Sequence, residues 1–113
     1  MRNVAVVGAG QTKFGELWEK SLKDLIVEAG NAAINDAKID RRAIQTLYIG
    51  NMSAGRLVGQ EHLGALASDC LGMKVPATRC EAACASGSVA FQNAYYAIAV
   101  SYTHLTLPTK RIV

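Results

Sequence analysis

The sequence predicts an α/β fold in which helices cover both faces of a mixed β-sheet. Short apolar runs that end at glycine alternate with longer segments whose apolar residues recur at helical spacing. Half of the 113 residues are apolar and 19% are charged, which indicates a packed core and excludes a disordered chain. The length allows one domain at most.

The first part of the chain predicts a strand, an irregular connection and a helix. Residues 4–7 form an apolar, partly β-branched run before the turn Gly8-Ala9-Gly10, which is typical of a buried strand. The clearest helix begins after Ser21, because leucine, isoleucine and alanine then recur at helical spacing as far as Ala37. Ser21 followed by Asp24 is the pattern of a capping box, which fixes the helix start.

The middle of the chain predicts a second strand and a second helix. Residues 44–49 are mainly apolar and end at Gly50-Asn51, as expected of a strand, and residues 56–59 are interpreted as a loop. From Gln60 the apolar residues follow helical spacing as far as Leu71. Gly72 is then well placed to cap this helix, and Pro76 prevents its continuation.

The last predicted elements are a strand over residues 77–81 and a helix over residues 85–100. The helix is apolar around most of its circumference and is therefore expected to be buried. Three strands make a small sheet with exposed edges, so we expect sequence to be missing. Residues 1–100 are interpreted as the N-terminal part of one domain, and the threonine-rich residues 101–113 as a tail foreign to it, of the kind that sequencing adaptors leave.

Charge and hydropathy exclude several classes of function. Without Lys110 and Arg111, ten of the 12 basic residues remain against 9 acidic ones, so the net charge is close to zero. Nucleic acid is therefore not an expected partner. The longest apolar run, residues 94–100, is far shorter than the roughly twenty residues that cross a membrane. Three cysteines without a secretory signal predict free thiols and a cytoplasmic protein.

Cys84 is the candidate nucleophile, because it lies between a predicted strand and a predicted helix among small residues. Backbone amides at a helix start, together with the helix dipole, favour a thiolate over a thiol. The same amides can donate to a developing oxyanion, and the N–H of Cys84 is the candidate donor. Cys70, on the apolar face of a predicted helix, is interpreted as structural.

Other possible sites carry weaker patterns. Gly8-Ala9-Gly10 begins like a dinucleotide fingerprint, but Lys13 occupies the position of its third glycine, so a simple turn is expected. Cys80 and Cys84 have a spacing that zinc permits, yet no second ligand pair follows, and no metal site is predicted. No G-x-S-x-G motif surrounds Ser86, and Arg56 is interpreted as a solvated loop charge.

Two segments resemble the thiolase family. Residues 81–89 read EAACASGSV, which is similar to the nucleophile segment of thiolases, with Cys84 and not Cys80 at the position of the acylated cysteine. Residues 4–15 read VAVVGAGQTKFG, which resembles the start of the archaeal and lipid-carrier branch of that family. The resemblance implies a thiolase-like layered fold of which this chain holds an incomplete first half.

The resemblance also implies an activity, namely acyl transfer between the sulfur of Cys84 and coenzyme A in acyl-CoA cleavage or condensation. No permanently bound cofactor is implied, coenzyme A thioesters are the substrates, and the full-length protein is expected to be a homodimer or homotetramer. The second catalytic cysteine and the histidines of the family are expected outside this sequence, so the chain alone is expected to be nearly inactive.

Two other interpretations stay open. The first is another condensing enzyme of the same fold, such as a β-ketoacyl synthase or a hydroxymethylglutaryl-CoA synthase. The second is a thiolase-like subunit that binds a partner without turnover.

Overall fold

The computed structural model describes residues 2–104 and contains four α-helices and two β-strands. Their bounds, in chain order, are α1 Leu22–Ala37, β1 Leu47–Gly50, α2 Ala54–Val58, α3 Leu63–Cys70, β2 Ala77–Cys80 and α4 Ser86–His104. A short 3-10 helix, Arg41–Ala43, precedes β1. The predicted α/β class is confirmed. The predicted tail falls largely in residues 105–113, outside the described part of the chain.

The sheet consists of β1 and β2, which pair in parallel with Leu47 opposite Ala77 and Gly50 opposite Cys80. Helices α3 and α4 each pack on both strands, and α1 packs against α3. The core contains Leu63 and Ala67 of α3, both 1% exposed, together with Ile34 of α1 and Ile44. Among the helices of residues 2–104, none has the length and apolar character needed to cross a membrane.

Helix α1 confirms the sequence prediction at both ends. The Ser21 hydroxyl accepts a hydrogen bond from the Asp24 N–H at 3.1 Å, and the Asp24 carboxylate accepts one from the Ser21 N–H at 3.0 Å. The helix ends at Lys38, which has a left-handed backbone with φ of 55°. Two local signals, a capping box and helical spacing, therefore specify this element.

The end of α3 also follows the prediction, whereas its start does not. Gly72 has a φ of 67°, and its N–H donates to the Asp69 carbonyl while the Met73 N–H donates to that of Ser68. This pair of hydrogen bonds is a Schellman motif. The helix begins at Leu63 instead of Gln60, because the Gln60 side chain bonds the His62 N–H and holds a turn before it.

Residues 56–59, predicted as a loop, belong in part to the one-turn helix α2, so that prediction is wrong. The Asn51 side-chain oxygen accepts hydrogen bonds from the N–H groups of Ser53 and Ala54, which satisfies two amides at the helix start. Gly59, with φ of 71°, ends the helix. Five residues are too few for helical periodicity to be recognised in a sequence.

The strand predicted at residues 4–7 does not form among the described residues, and Val6 is 69% exposed. An apolar run becomes a strand only where a neighbouring strand supplies hydrogen-bond partners. Here the flanking amides bond to helices: the Arg2 N–H donates to the Ala99 carbonyl of α4, and the Ala9 N–H to the Asp36 carboxylate of α1. The sheet therefore has two strands instead of the three expected.

Helix α4 spans the segment predicted to be helical, but it is not buried on all sides. Ala90, Ile98 and Ala99 are buried, whereas Phe91 is 61% and Tyr96 48% exposed. The aromatic face of α4 has no covering element within residues 2–104. The prediction of a buried helix, which was based on its apolar circumference, is therefore wrong for this face.

We expect replacement of Ser21 by alanine to lower the free energy of unfolding by about 1 kcal/mol, the usual loss for an N-cap that bonds the helix amides. Ser53→Ala is the matched control, because Ser53 is the N-cap of α2 but makes no side-chain capping bond. Urea unfolding of both variants measures the difference. Equal losses would contradict the role of the capping box.

The capping box also predicts a pH dependence. The hydrogen bonds from Ser21 lower the pKa of Asp24 below its ordinary value of 3.8. The associated stability is fully present above that unfolded pKa and is lost as the pH falls through the lower folded pKa. Amide exchange in the first turn of α1 should accelerate in this acidic range. In Asp24→Ala the acid-dependent acceleration should be absent.

Candidate active site

The candidate nucleophile, Cys84, lies in the short turn that joins β2 to α4. Strand β2 ends at Cys80 and α4 begins at Ser86, so Cys84 is two residues before the helix. Its side chain is exposed, whereas Cys80 is buried and Cys70 is partly buried. The strand-to-helix placement predicted for Cys84 is therefore present, and this thiol is the accessible one of the three.

The residue before Cys84 has an unusual backbone. Ala83 has a φ of 50°, in the left-handed region that residues other than glycine rarely adopt. Such a residue persists only where the surrounding structure fixes it. The turn that presents the thiol is thus a strained one.

Hydrogen bonds hold every backbone polar group of Ala82 and Ala83. The Ser86 hydroxyl accepts from the Ala82 N–H at 2.9 Å and donates to the Ala83 carbonyl at 2.7 Å, and the Ser86 N–H reaches that same carbonyl at 3.2 Å. The Glu81 carboxylate accepts from the Ala83 N–H at 2.7 Å, and the Ala82 carbonyl accepts from the Ala85 N–H at 3.0 Å. The strained conformation is therefore supported from both sides.

A close approach between β1 and α4 sets the position of this turn. A Cβ atom added at Gly50 would lie 2.3 Å from the Ser86 carbonyl oxygen and 2.7 Å from the Gly87 nitrogen. Both are backbone atoms, which cannot move aside as a flexible side chain would. Glycine at position 50 therefore allows the first turn of α4 to pack directly on the carboxyl end of β1, where ligands of parallel sheets commonly bind.

Two polar residues that sequence reasoning missed connect the ends of the strands. The Asn51 N–H donates to the Cys80 carbonyl at 3.0 Å, which extends the parallel pairing by one bond. The Arg79 guanidinium donates to the carbonyls of Asn51 and Met52, each at 3.0 Å. The sequence signal at this position is the Gly50-Asn51 pair, which by itself predicts only the end of a strand.

Cys80 and Cys70 have structural surroundings. The Asn93 amide of α4 donates to the Cys80 sulfur at 3.3 Å, so this buried thiol links β2 to the helix. Burial raises the pKa of the Cys70 thiol, which lies at the end of α3 with its sulfur 3.7 Å from the Ala67 carbonyl. Within residues 2–104, no three histidine, cysteine or acidic side chains come together as a metal site would require.

The glycines near the N-terminus pack against α1. A Cβ at Gly8 would lie 2.6 Å from the Ala33 carbonyl oxygen, and one at Gly10 would lie 2.6 Å from the Ala33 nitrogen. These glycines therefore permit backbone contact with a helix, which explains them without a bound nucleotide. Arg56 is exposed on α2, and His62 is exposed just before α3, away from the Cys84 turn in the chain.

The fold and the site define a class: an α/β protein that displays a cysteine at a strand-to-helix turn. The sequence model described as "Thiolase, N-terminal domain" matches residues 4–108. The chain belongs to the thiolase family, as the resemblance of residues 4–15 and 81–89 implied.

Two archaeal proteins named acetyl-CoA acetyltransferase are similar over 108 residues, which is 95% of this chain. The one from Methanocaldococcus jannaschii is 52% identical and the one from Methanothermobacter thermautotrophicus 47% identical. The chain spans 28% of the length of each relative. Among solved structures, the tetronic acid condensing enzyme AbyA1 is similar with a TM-score of 0.54 and 26% identity, over 81% of this chain and 26% of that one.

Gly50→Ala should destabilise the protein by about 1 to 3 kcal/mol, the usual cost of forcing extra atoms into a packed contact. The new methyl group would have to separate β1 from the start of α4. Gly87→Ala is the matched control, because a Cβ there meets no atom within 4 Å. Urea unfolding should show the loss in the first variant and little change or a small gain in the second. A neutral Gly50→Ala would contradict the close approach.

Proposed function

We propose that the full-length protein is a thiolase-type acyltransferase in which Cys84 carries the acyl group as a thioester. The observation that carries the proposal is the exposed thiol of Cys84 at a strained strand-to-helix turn, two residues before α4. Membership of the thiolase family and the names of the two archaeal relatives support the reaction class. The substrates proposed are coenzyme A thioesters, with no permanently bound cofactor.

The proposed reaction begins with nucleophilic attack by the Cys84 thiolate. Its sulfur forms a bond to the acyl carbon of an acyl-CoA, the bond between that carbon and the coenzyme A sulfur breaks, and the departing thiolate takes up a proton. The negative charge that develops on the carbonyl oxygen needs hydrogen-bond donors, and the backbone N–H of Cys84 is the proposed donor. The helix start behind it adds a favourable dipole.

In the second half of the proposed reaction, the acyl group leaves Cys84. Transfer to the deprotonated α-carbon of a second acyl-CoA gives a 3-ketoacyl-CoA, and the same steps in reverse, with coenzyme A as acceptor, cleave one. The group that removes the α-proton is proposed to lie in the part of the enzyme outside this chain. Because residues of one catalytic unit act together, the 113-residue chain alone should show almost no turnover.

A second candidate is another condensing enzyme of the same fold. The similarity to AbyA1, described as a tetronic acid condensing enzyme, favours keeping this candidate. Both reactions start with an acylated cysteine, so acylation alone does not separate them. Cleavage of acetoacetyl-CoA by added coenzyme A does, since it requires the complete thiolase reaction.

Acylation of Cys84 is testable by intact-mass analysis of the full-length protein after brief incubation with acetyl-CoA. We expect a mass increase of one acetyl group on Cys84. Cys84→Ala should abolish the adduct, whereas Cys70→Ala should retain it, because the Cys70 thiol is partly buried at the end of α3. No adduct in the unmodified protein, or an adduct that survives Cys84→Ala, would refute the proposal.

The reaction class is testable separately with acetoacetyl-CoA and coenzyme A. A thiolase should form two molecules of acetyl-CoA, at a rate that falls to background in Cys84→Ala. An acylated Cys84 without this cleavage would favour the other condensing enzymes. Absence of both, with tight binding of another protein, would favour the non-catalytic subunit.

A further inference from the structure

We propose that Ser86, assisted by Glu81, is a positioning residue that holds the strained turn before Cys84 and thereby aims its thiol. The inference rests on the proposed function, in which Cys84 is the acylated nucleophile. Neither side chain is proposed to touch the substrate. Their action passes through the backbone of Ala82 and Ala83.

The turn before Cys84 is strained and persists only with support from other residues. A left-handed backbone is strained for an alanine, because its Cβ comes too close to the following carbonyl oxygen. Ala83 has this conformation, with φ of 50°, directly before Cys84. Without outside support, rotation of Ala83 to a negative φ would relieve the strain and would redirect the chain at Cys84.

Ser86 opposes this rotation at two points. Its hydroxyl accepts from the Ala82 N–H and donates to the Ala83 carbonyl, so one oxygen links the peptide group before Ala82 to the peptide group after Ala83. Ser86 is 5% exposed and begins α4, which fixes its place against β1 through Gly50. A buried hydroxyl held by a helix is a rigid support.

Glu81 is exposed and supports the turn from the solvent side. Its carboxylate accepts from the Ala83 N–H at 2.7 Å, a charge-assisted bond. The bond requires an acceptor oxygen but not the negative charge itself. Two replacements therefore distinguish the effect of the hydrogen bond from the effect of the charge. Glutamine at position 81 keeps an acceptor oxygen without the charge, whereas alanine removes both.

Ser86 and Glu81 therefore have a function that the sequence pattern alone does not assign. Small rotations at a nucleophile change the fraction of encounters in which sulfur and carbonyl carbon align, and misplacement by about 1 Å is able to cost on the order of 100-fold in rate. Neither side chain is proposed to contact coenzyme A. Loss of the support should slow acylation and leave substrate affinity nearly unchanged.

The test uses the full-length protein and measures the single-turnover rate of Cys84 acylation by acetyl-CoA at several substrate concentrations. Ser86→Ala should lower the limiting rate by about 10- to 100-fold while the half-saturating concentration changes less than about 3-fold. Ser88→Ala is the matched control: it removes a hydroxyl from the same helical turn, but Ser88 is exposed. It should acylate at the rate of the unmodified protein.

A second pair of variants keeps the proposal testable if Ser86→Ala does not fold. Glu81 is exposed, so its replacement removes little packing. Glu81→Ala should slow acylation, and Glu81→Gln should recover most of the rate. Equal slowing by both replacements would show that the charge matters instead of the hydrogen bond, and would overturn the part assigned to Glu81.

Hydrogen exchange gives a readout that does not depend on catalysis. The amides of Ala82 and Ala83 should exchange faster in Ser86→Ala and Glu81→Ala respectively, and at the original rate in Ser88→Ala. Normal acylation in Ser86→Ala would overturn the positioning role while leaving the proposed function intact. Failure of the unmodified protein to acylate Cys84 would instead refute the proposed function, and the positioning role with it.

Discussion

The contact between the last residue of β1 and the first turn of α4 is the constraint on which the site depends. Parallel pairing places Gly50 beside Cys80, so the two strands end together. The absence of a side chain at Gly50 lets the backbone of Ser86 and Gly87 rest on that end. Because α4 begins there, the residues between Cys80 and Ser86 must form a sharp turn. Cys84 lies in that turn.

Glycine makes sharp turns without strain, because it adopts a left-handed backbone freely. Ala83 occupies the strained position instead, and hydrogen bonds from Ser86 and Glu81 hold it. Glycine there would leave more conformations available to the chain, whereas alanine under these bonds leaves few. The combination favours one orientation of the peptide that leads into Cys84, at a moderate cost in stability.

What the sequence could predict was mainly what local interactions decide. The bounds of α1 follow from a capping box within four residues and from helical spacing, and Gly72 ends α3 through bonds to its own last turn. The strand-to-helix position of Cys84 is likewise local. The Arg79 bond to the Asn51 carbonyl joins residues 28 apart, and only the parallel register brings them together. No local pattern contains that information.

Two of the failed predictions, a strand at residues 4–7 and a buried α4, concern apolar segments that lie close together. Both segments line the same cavity of about 530 Å³ beside β1, where Val6 and Phe91 are exposed. Apolar residues on all sides predict burial only if other elements cover every side, and within residues 2–104 none covers this cavity. The archaeal relatives are much longer than this chain, which spans 28% of their length. The hydrogen bonds that hold the Cys84 turn lie within residues 81–86, and the close approach of β1 at Gly50 sets the position of that turn.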